Sequence, residues 1–182
     1  MLNEGIPPNH GTFVGILQAC RSMNEGLLRG MSVHIQILES NLRLDLTIGS
    51  TLIDMYVRCG SLAKAQALFD TISIRNIVVW NSLIAGYAQN GLGEEALRCF
   101  KQMKDLGIHP DVVTFVCALK ACSSTGAIGK GKQIHDELVS RNLLKNDVVL
   151  VTSLVSMYAK CGELAKAQQV HNEFGVRNIV SW

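Results

Sequence analysis

Four sets of residues in this sequence have types and spacings suited to chemistry. The run Gly126-Ala127-Ile128-Gly129-Lys130-Gly131-Lys132-Gln133 comes close to the glycine-rich loop GxxxxGK[ST] that cradles nucleotide phosphates. Gln133 stands where that loop needs a hydroxyl for Mg²⁺, and the preceding residues 113–123 read as a helix where a strand is required. Nucleotide hydrolysis is therefore not expected. His135-Asp136-Glu137 supplies the H-x-E half of a zinc deaminase signature, without the P-C-x-x-C half. Six cysteines, Cys20, Cys59, Cys99, Cys117, Cys122 and Cys161, contain no CxxC, so zinc-ligand spacing fails and they read as small buried apolar side chains. The fourth set is short and polar: Ser50, Asn76, Asn81, Asp111, Thr152 and Asn178. Such side chains offer hydrogen-bond donors and acceptors on a short stem. Their meaning depends on the elements that carry them.

Those elements are helix pairs. Between Ile77 and Asp111 two short amphipathic helices are expected, 78–89 and 93–105, broken by Asn90-Gly91. In the second, Ala96, Leu97, Phe100 and Met103 make one apolar stripe, while Glu94, Glu95, Lys101 and Lys104 take the wet side. Gly107 can stop that helix and Pro110 blocks its continuation. One helix pair cannot bury its apolar faces alone, so copies are expected. They are present. STLIDMYVRCGSLAKAQALFDTISIRNIVVW (50–80) recurs as TSLVSMYAKCGELAKAQQVHNEFGVRNIVSW (152–182), 102 residues later. Thr12-Phe13-Val14 and Ala19-Cys20 recur as Thr114-Phe115-Val116 and Ala121-Cys122 at the same interval. Each period holds three unequal units, with boundaries at 10–45, 46–76, 77–111, 112–147 and 148–178. A tail, 1–9, matches 103–111, and 179–182 opens a further unit, so the chain reads as a window of a longer array. Apolar faces at the ends of such a window favour end-to-end self-association.

The chain is 182 residues long, 48% hydrophobic and 5% aromatic, with three Pro. Its net charge of +2 lacks the bulk basicity of a nonspecific nucleic-acid binder. No apolar run is long enough to span a bilayer, so no membrane partner is expected.

Units of 36, 31 and 35 residues in fixed rotation resemble the L, S and P motifs of PLS-class pentatricopeptide repeat proteins. The resemblance rests on VVWNSLI with GIHPD in the P unit, TFVCALKAC with GKQIH in the L unit, and MYVRCG and MYAKCG, each followed by Arg-Asn, in the S units. Tetratricopeptide repeats keep a constant period of 34. Their Trp-Leu-Gly-Tyr spacing is absent, and Trp80 and Trp182 sit at the fourth position of P units. The resemblance implies an all-α fold, a right-handed α-solenoid superhelix of helix-turn-helix repeats, with first helices lining a concave surface. It also implies sequence-specific single-stranded RNA binding at one base per repeat, for organellar RNA processing and above all C-to-U editing-site recognition. Catalysis and cofactors are not implied for these repeats, although a deaminase-like domain follows the repeats in many proteins of the class. Location in a mitochondrion or chloroplast is implied too, a reducing setting in which disulfides are not expected.

By resemblance, the fifth and last residues of a unit form a base-reading pair. These are Ser50 with Asn76, Asn81 with Asp111, and Thr152 with Asn178. The family code makes Ser/Asn and Thr/Asn favour adenine and Asn/Asp favour uracil over cytosine. The L units pair Val14 with Asp45 and Val116 with Asp147; valine offers no donor or acceptor, so these read weakly or not at all. The implied target is 5′-N-A-U/C-N-A-3′. The second residues, Thr47, Val78, Val113 and Val149, are the implied base clamps, with Gly11 departing from the pattern. Arg58 and Lys160 are candidate phosphate contacts, or simply complement helix C-termini. The reading pairs have an alternative role as helix caps, and the clamps as packing residues. The alternative function is a protein scaffold in which L repeats dock multiple organellar RNA editing factor (MORF/RIP) proteins through Val14 and Val116.

Overall fold

The computed structural model describes residues 9–21, 25–40, 45–72, 75–145 and 147–175. Asn178, the expected tail before Asn9 and the expected unit opening at 179–182 lie outside the described residues. The chain forms two compact units, Met1–Gly86 and Tyr87–Trp182. Among the described residues it is helical throughout. The first unit contains α1 (His10–Cys20), α2 (Gly26–Glu39), α3 (Leu46–Arg58), α4 (Leu62–Thr71) and most of α5 (Ile77–Gln89). The second contains α6 (Gly93–Asp105), α7 (Val112–Thr125), α8 (Ile128–Ser140), a 3₁₀ turn (Leu143–Lys145), α9 (Val148–Lys160) and α10 (Leu164–Val170), which runs into a π-helical turn (His171–Gly175).

Apolar periodicity explains which faces meet. Ala96, Leu97, Phe100 and Met103 of α6 are all buried, as the stripe requires. In the first unit α1 packs on α2 and α3, and α3 packs on α4. In the second, α7 packs on α6, α8 and α9, and α9 packs on α10. Each unit is thus a stack of helix pairs whose first helices lie side by side. Leu17, Ile37, Ile48, Leu52, Ile53 and Leu83 fill the first core and Phe115, Leu119, Leu138, Leu150 and Leu154 the second. Phe69 meets Trp80 edge-on at 4.6 Å between ring centres. Burying each such side chain stabilises by about 1.5–3 kcal/mol, whereas exposed ion pairs contribute about 0–1 kcal/mol. The cores, not the surface charges, hold the stacks.

The turns after α3 and α9 show why MYxxCG recurs. Gly60 and Gly162 adopt φ of +74° and +83°, a left-handed conformation that a side chain would strain. The Gly60 amide donates to the Val57 carbonyl, and the next amide, of Ser61, donates to Tyr56 at 2.8 Å. Gly162 and Glu163 repeat this with Ala159 and Tyr158. This pair of bonds satisfies the last carbonyls of α3 and α9 and stops both helices.

The residues just before each turn lock that helix pair to the preceding one. Met55 lies against Gly30 and Met157 against Gly131, both methionines fully buried. The Cys59 thiol points to the Cys20 carbonyl at 3.9 Å, and Cys161 to Cys122 at 3.7 Å. His34 Nδ1 lies 2.9 Å from the Tyr56 hydroxyl, and His135 Nδ1 lies 2.9 Å from that of Tyr158, with each pair of rings edge-on.

Candidate nucleic-acid interface

The last residue of a repeat is set by the helix that follows it. Asp45 caps α3, accepting from the Thr47 and Ile48 amides at 3.0 and 2.9 Å. Asn76 accepts from the Val79 amide at 3.1 Å as α5 begins. Asp111 caps α7, accepting from the Thr114 amide at 2.9 Å while its own amide donates to the Thr114 hydroxyl. Asp147 accepts from Leu150 at 3.0 Å. Asn9 does the same for α1, through Thr12. The capping role foreseen for these residues is therefore present, and it occupies one side-chain oxygen of each. Asp45 is the most engaged: His10 Nε2 also stands 2.8 Å from Oδ2. The Ile48 amide, with further help from His10 and Thr47, holds the Asp45 carboxyl below the ordinary aspartate range.

One turn into each first helix stands the fifth residue. The Ser50 hydroxyl donates to the Thr47 carbonyl at 3.1 Å, and Thr152 donates to Val149 at 3.0 Å. The one proton is committed and the acceptor lone pairs are not. Asn81 is half-buried on α5, in the first unit, while Asp111 belongs to the second. Val14 and Val116 are half-buried. The second residues do not pack in the core: Val78, Val113 and Val149 are 52%, 53% and 56% exposed. Thr47 and Gly11 are exposed as well.

α3 and α9 differ along the face that carries these groups. On α9, Thr152, Ser156 and Lys160 are spaced four apart and fall on one side of the helix. With Val116, Lys120 and Ser123 of α7 they line a shallow cleft of about 280 Å³. Among the described residues neither lysine forms an ion pair. On α3 the same positions are Ser50, Asp54 and Arg58, and there Arg58 Nε lies 3.2 Å from Asp54 Oδ1. Arg21 of the segment after α1 reaches Asp54 Oδ2, which Arg58 Nε also approaches at 3.3 Å. Arg58 and Lys160 are thus unequal candidates: one is held by a carboxylate, the other stands open. Lys120, Ser123 and Ser156 carried no sequence signal, because each departs from its counterpart (Gln18, Arg21, Asp54) in the first period.

Comparison with known proteins decides the family. A model described as the PPR repeat family matches residues 75–124, and one described as the PPR repeat matches 50–77 and 149–179. The chain belongs to the pentatricopeptide repeat family. A chloroplastic pentatricopeptide repeat-containing protein of Arabidopsis thaliana is 38% identical over 100% of this chain and 29% of its own length. A mitochondrial one is 38% identical over 78% of this chain and 20% of its own. Another Arabidopsis member is 41% identical over 88% of this chain and 23% of its own. The chain therefore spans less than a third of these relatives. Among solved structures, the maize pentatricopeptide repeat protein PPR10 aligns over 95% of this chain and 25% of its own, at 22% identity and a TM-score of 0.73. PPR10 in complex with an 18-nt psaJ RNA element aligns over 94% of this chain and 26% of its own, at 20% identity and 0.76. These likenesses show the fold, an α-solenoid of helix pairs.

The other sequence candidates become packing residues of pentatricopeptide repeats. The glycine-rich run is the turn after α7 and the start of α8: Gly126 is left-handed at the end of α7, and 128–133 are helical. Its lysines meet carboxylates on neighbouring second helices, Lys130 with Glu94 at 3.2 Å and Lys132 with Glu163 at 3.0 Å. Glu137 of the H-x-E run is taken by Lys104 and Arg141, each at 2.6 Å. Burial lowers the pKa of His34 and His135 and so favours the neutral rings; Lys64 and Lys166 push the same way. Burial also raises the thiol pKa of Cys20, Cys59 and Cys117, and pushes Cys122 up to about 12. Such thiols are protonated at neutral pH and are poor nucleophiles or metal ligands. Among the described residues no cluster of His, Cys, Asp and Glu is suited to a metal ion, and no helix is long and apolar enough to cross a membrane.

Proposed function

We propose that the chain binds single-stranded RNA sequence-specifically, about one base per repeat, as a PLS-class array of L (10–45, 112–147), S (46–76, 148–178) and P (77–111) units. The proposed role is organellar RNA processing in a mitochondrion or chloroplast, chiefly recognition of C-to-U editing sites, without catalysis by this chain. The observation that carries the reading is the exposure of Val78 and Val149, each three residues before a short polar fifth residue, Asn81 and Thr152; Val113 is equally exposed, ahead of the apolar Val116. Apolar side chains held in solvent beside short polar groups suit a base face and a base edge together, as single-stranded RNA presents them. The maize PPR10–RNA complex, similar in fold, adds support. Ser50 with Asn76 and Thr152 with Asn178 read adenine, and Asn81 with Asp111 reads uracil or cytosine, giving 5′-N-A-U/C-N-A-3′. The doubly engaged Asp45 and the apolar Val14 make the first L site silent.

Fluorescence anisotropy with RNAs that differ only at the U position tests this. Asn81→Thr with Asp111→Asn should move the preference from U to A. No preference at that base, in either protein, overturns the base-reading assignment.

A second reading is docking of organellar editing factors through L units. The observation behind it lies on α2, where Leu28, Ile35 and Leu38 are 69%, 55% and 62% exposed. Val14 and Val116, half-buried, offer less. Ile35→Lys with Leu38→Lys should abolish co-purification with a MORF partner and leave RNA binding intact if docking holds.

A further inference from the structure

We propose that Asp54 withholds the first L–S junction from the nucleic-acid backbone, so that of the two junctions it is the second that grips phosphate. The inference rests on the RNA-binding reading and goes beyond it by assigning a residue that sets where the backbone is held.

The two junctions share their framework. Each has its Gly–Met contact, its thiol-to-carbonyl contact and its His–Tyr pair. They differ at four polar positions along the first helices and their ends. In the first unit these are Gln18, Arg21, Asp54 and Arg58; at the 102-residue interval they become Lys120, Ser123, Ser156 and Lys160. Asp54 is the more buried member of its trio, its side chain 23% exposed against 34% for Arg21 and 51% for Arg58. It accepts from both guanidinium groups: Arg58 Nε lies 3.2 and 3.3 Å from its two oxygens, and Arg21 shares Oδ2. Arg21 is fixed further by a bond from Nε to the Gln18 carbonyl at 3.3 Å. A carboxylate set between two arginines removes one net charge and orients the donors of both toward itself. A phosphodiester arriving there would have to displace Asp54 and would meet its negative charge.

The second junction has no such guard. The cleft between α7 and α9 is lined by Val116, Lys120, Ser123, Thr152, Ser156 and Lys160 together with Ser153. Two ammonium groups and several hydroxyls face it, and no carboxylate lines it. Thr152, the proposed adenine reader, stands in the same cleft, two helical turns from Lys160. A nucleotide seated with its base at Thr152 would have its phosphate within the field of Lys120 and Lys160. At the first junction the equivalent reader, Ser50, is followed one turn later by Asp54 itself.

The test is Asp54→Ser, which installs the residue of the second junction, with Asp54→Asn as a smaller change should the serine variant fold poorly by circular dichroism. The probe is a fluorescein-labelled single-stranded RNA carrying the 5′-NAUNA-3′ read, titrated at several salt concentrations. Each new phosphate contact steepens the log–log salt slope by about 0.7 on single strands, so the gain at 50 mM salt should shrink roughly 2.5-fold by 200 mM. Asp54→Ser should therefore bind more tightly at low salt with a slope steeper by about 0.7 to 1.4, for one or two freed arginines. Adding Arg58→Ala should return most of that gain. Asp70→Asn, an equal charge change on exposed α4, should leave the slope unaltered. Lys160→Ala should flatten the wild-type slope by about 0.7. If Asp54→Ser leaves slope and affinity at wild-type values while Lys160→Ala weakens binding, RNA binding stands and the role of Asp54 falls. A gain matched by Asp70→Asn is general charge and likewise overturns it. If neither wild type nor Asp54→Ser binds RNA at low salt, both readings fall.

Discussion

At the scale of single residues, the last position of a unit caps a helix with the side chain that the proposed function would also use on a base. Asp111 holds the first turn of α7 by accepting from Thr114, and the proposed base reading uses the same carboxylate. These tasks separate on substitution because Asn is as good an N-cap as Asp, while Ala is not. Asp111→Ala should destabilise the fold by about 0.5–2 kcal/mol. Asp111→Asn should keep stability within a few tenths of a kcal/mol and still alter the base preferred at that unit. Urea denaturation beside RNA titration checks both. Equal destabilisation by the two variants would mean that the negative charge, not the cap bond, steadies the helix. The capping alternative was open from the sequence, since Asn, Asp and Ser start helices anywhere. What the sequence could not supply was the exposure of the second residues: Val reads as a core residue in any periodicity count, and only the packing of α5, α7 and α9 puts Val78, Val113 and Val149 in solvent.

At the scale of elements, helices and their turns were legible because each is written locally. The apolar stripe of α6 and the left-handed Gly60 and Gly162 need only a few neighbouring residues. The junction between helices was less legible. His34 meets Tyr56, and His135 meets Tyr158, across 22 and 23 residues. His34 and His135 were legible as equivalent packing residues despite the one-residue shift between the two units, whereas their tyrosine partners were not. Asp54 gave no signal either, because an acid on a helix surface normally meets only water. The His–Tyr junctions carry a pH dependence. Burial is the main cause of the low folded-state pKa of both histidines, Lys64 and Lys166 add to it, and Asp136 and Glu173 partly oppose it at His135. The unfolded chain therefore takes up protons first as pH falls below about 6.5. The stability from neutral His34 and His135 is complete above that pH and is lost as pH falls toward the lower folded values. Thermal midpoints should drop between about pH 7.5 and pH 5, and His34→Gln with His135→Gln should flatten that drop. A wild-type slope unchanged by the double substitution would place the acid sensitivity elsewhere.

At the scale of the whole molecule, the repeat makes two junctions of one design, one in each compact unit. A stack of helix pairs gains stability from each pair and from each contact between adjacent pairs. Met55 and Met157 are the matching buried side chains of those contacts, packed on Gly30 and Gly131. Truncating either to alanine leaves a cavity that the surrounding helices fill only in part, at a cost of about 2–5 kcal/mol. The first cavity borders Gly30 and the second Gly131 and Cys161, so the two share no named partner. Effects at sites without shared partners add to within about 0.3–0.5 kcal/mol. Met55→Ala with Met157→Ala should therefore lose the sum of the single losses, each taken over all steps of the urea unfolding curve. Each single variant should also lose cooperativity, because one junction now fails at a lower denaturant concentration than the other. A double variant that departs from the sum by more than about 1 kcal/mol, with single variants that still unfold in one sharp step, would mean that the chain behaves as a single cooperative core. The repeat would then describe its ancestry and not its energetics.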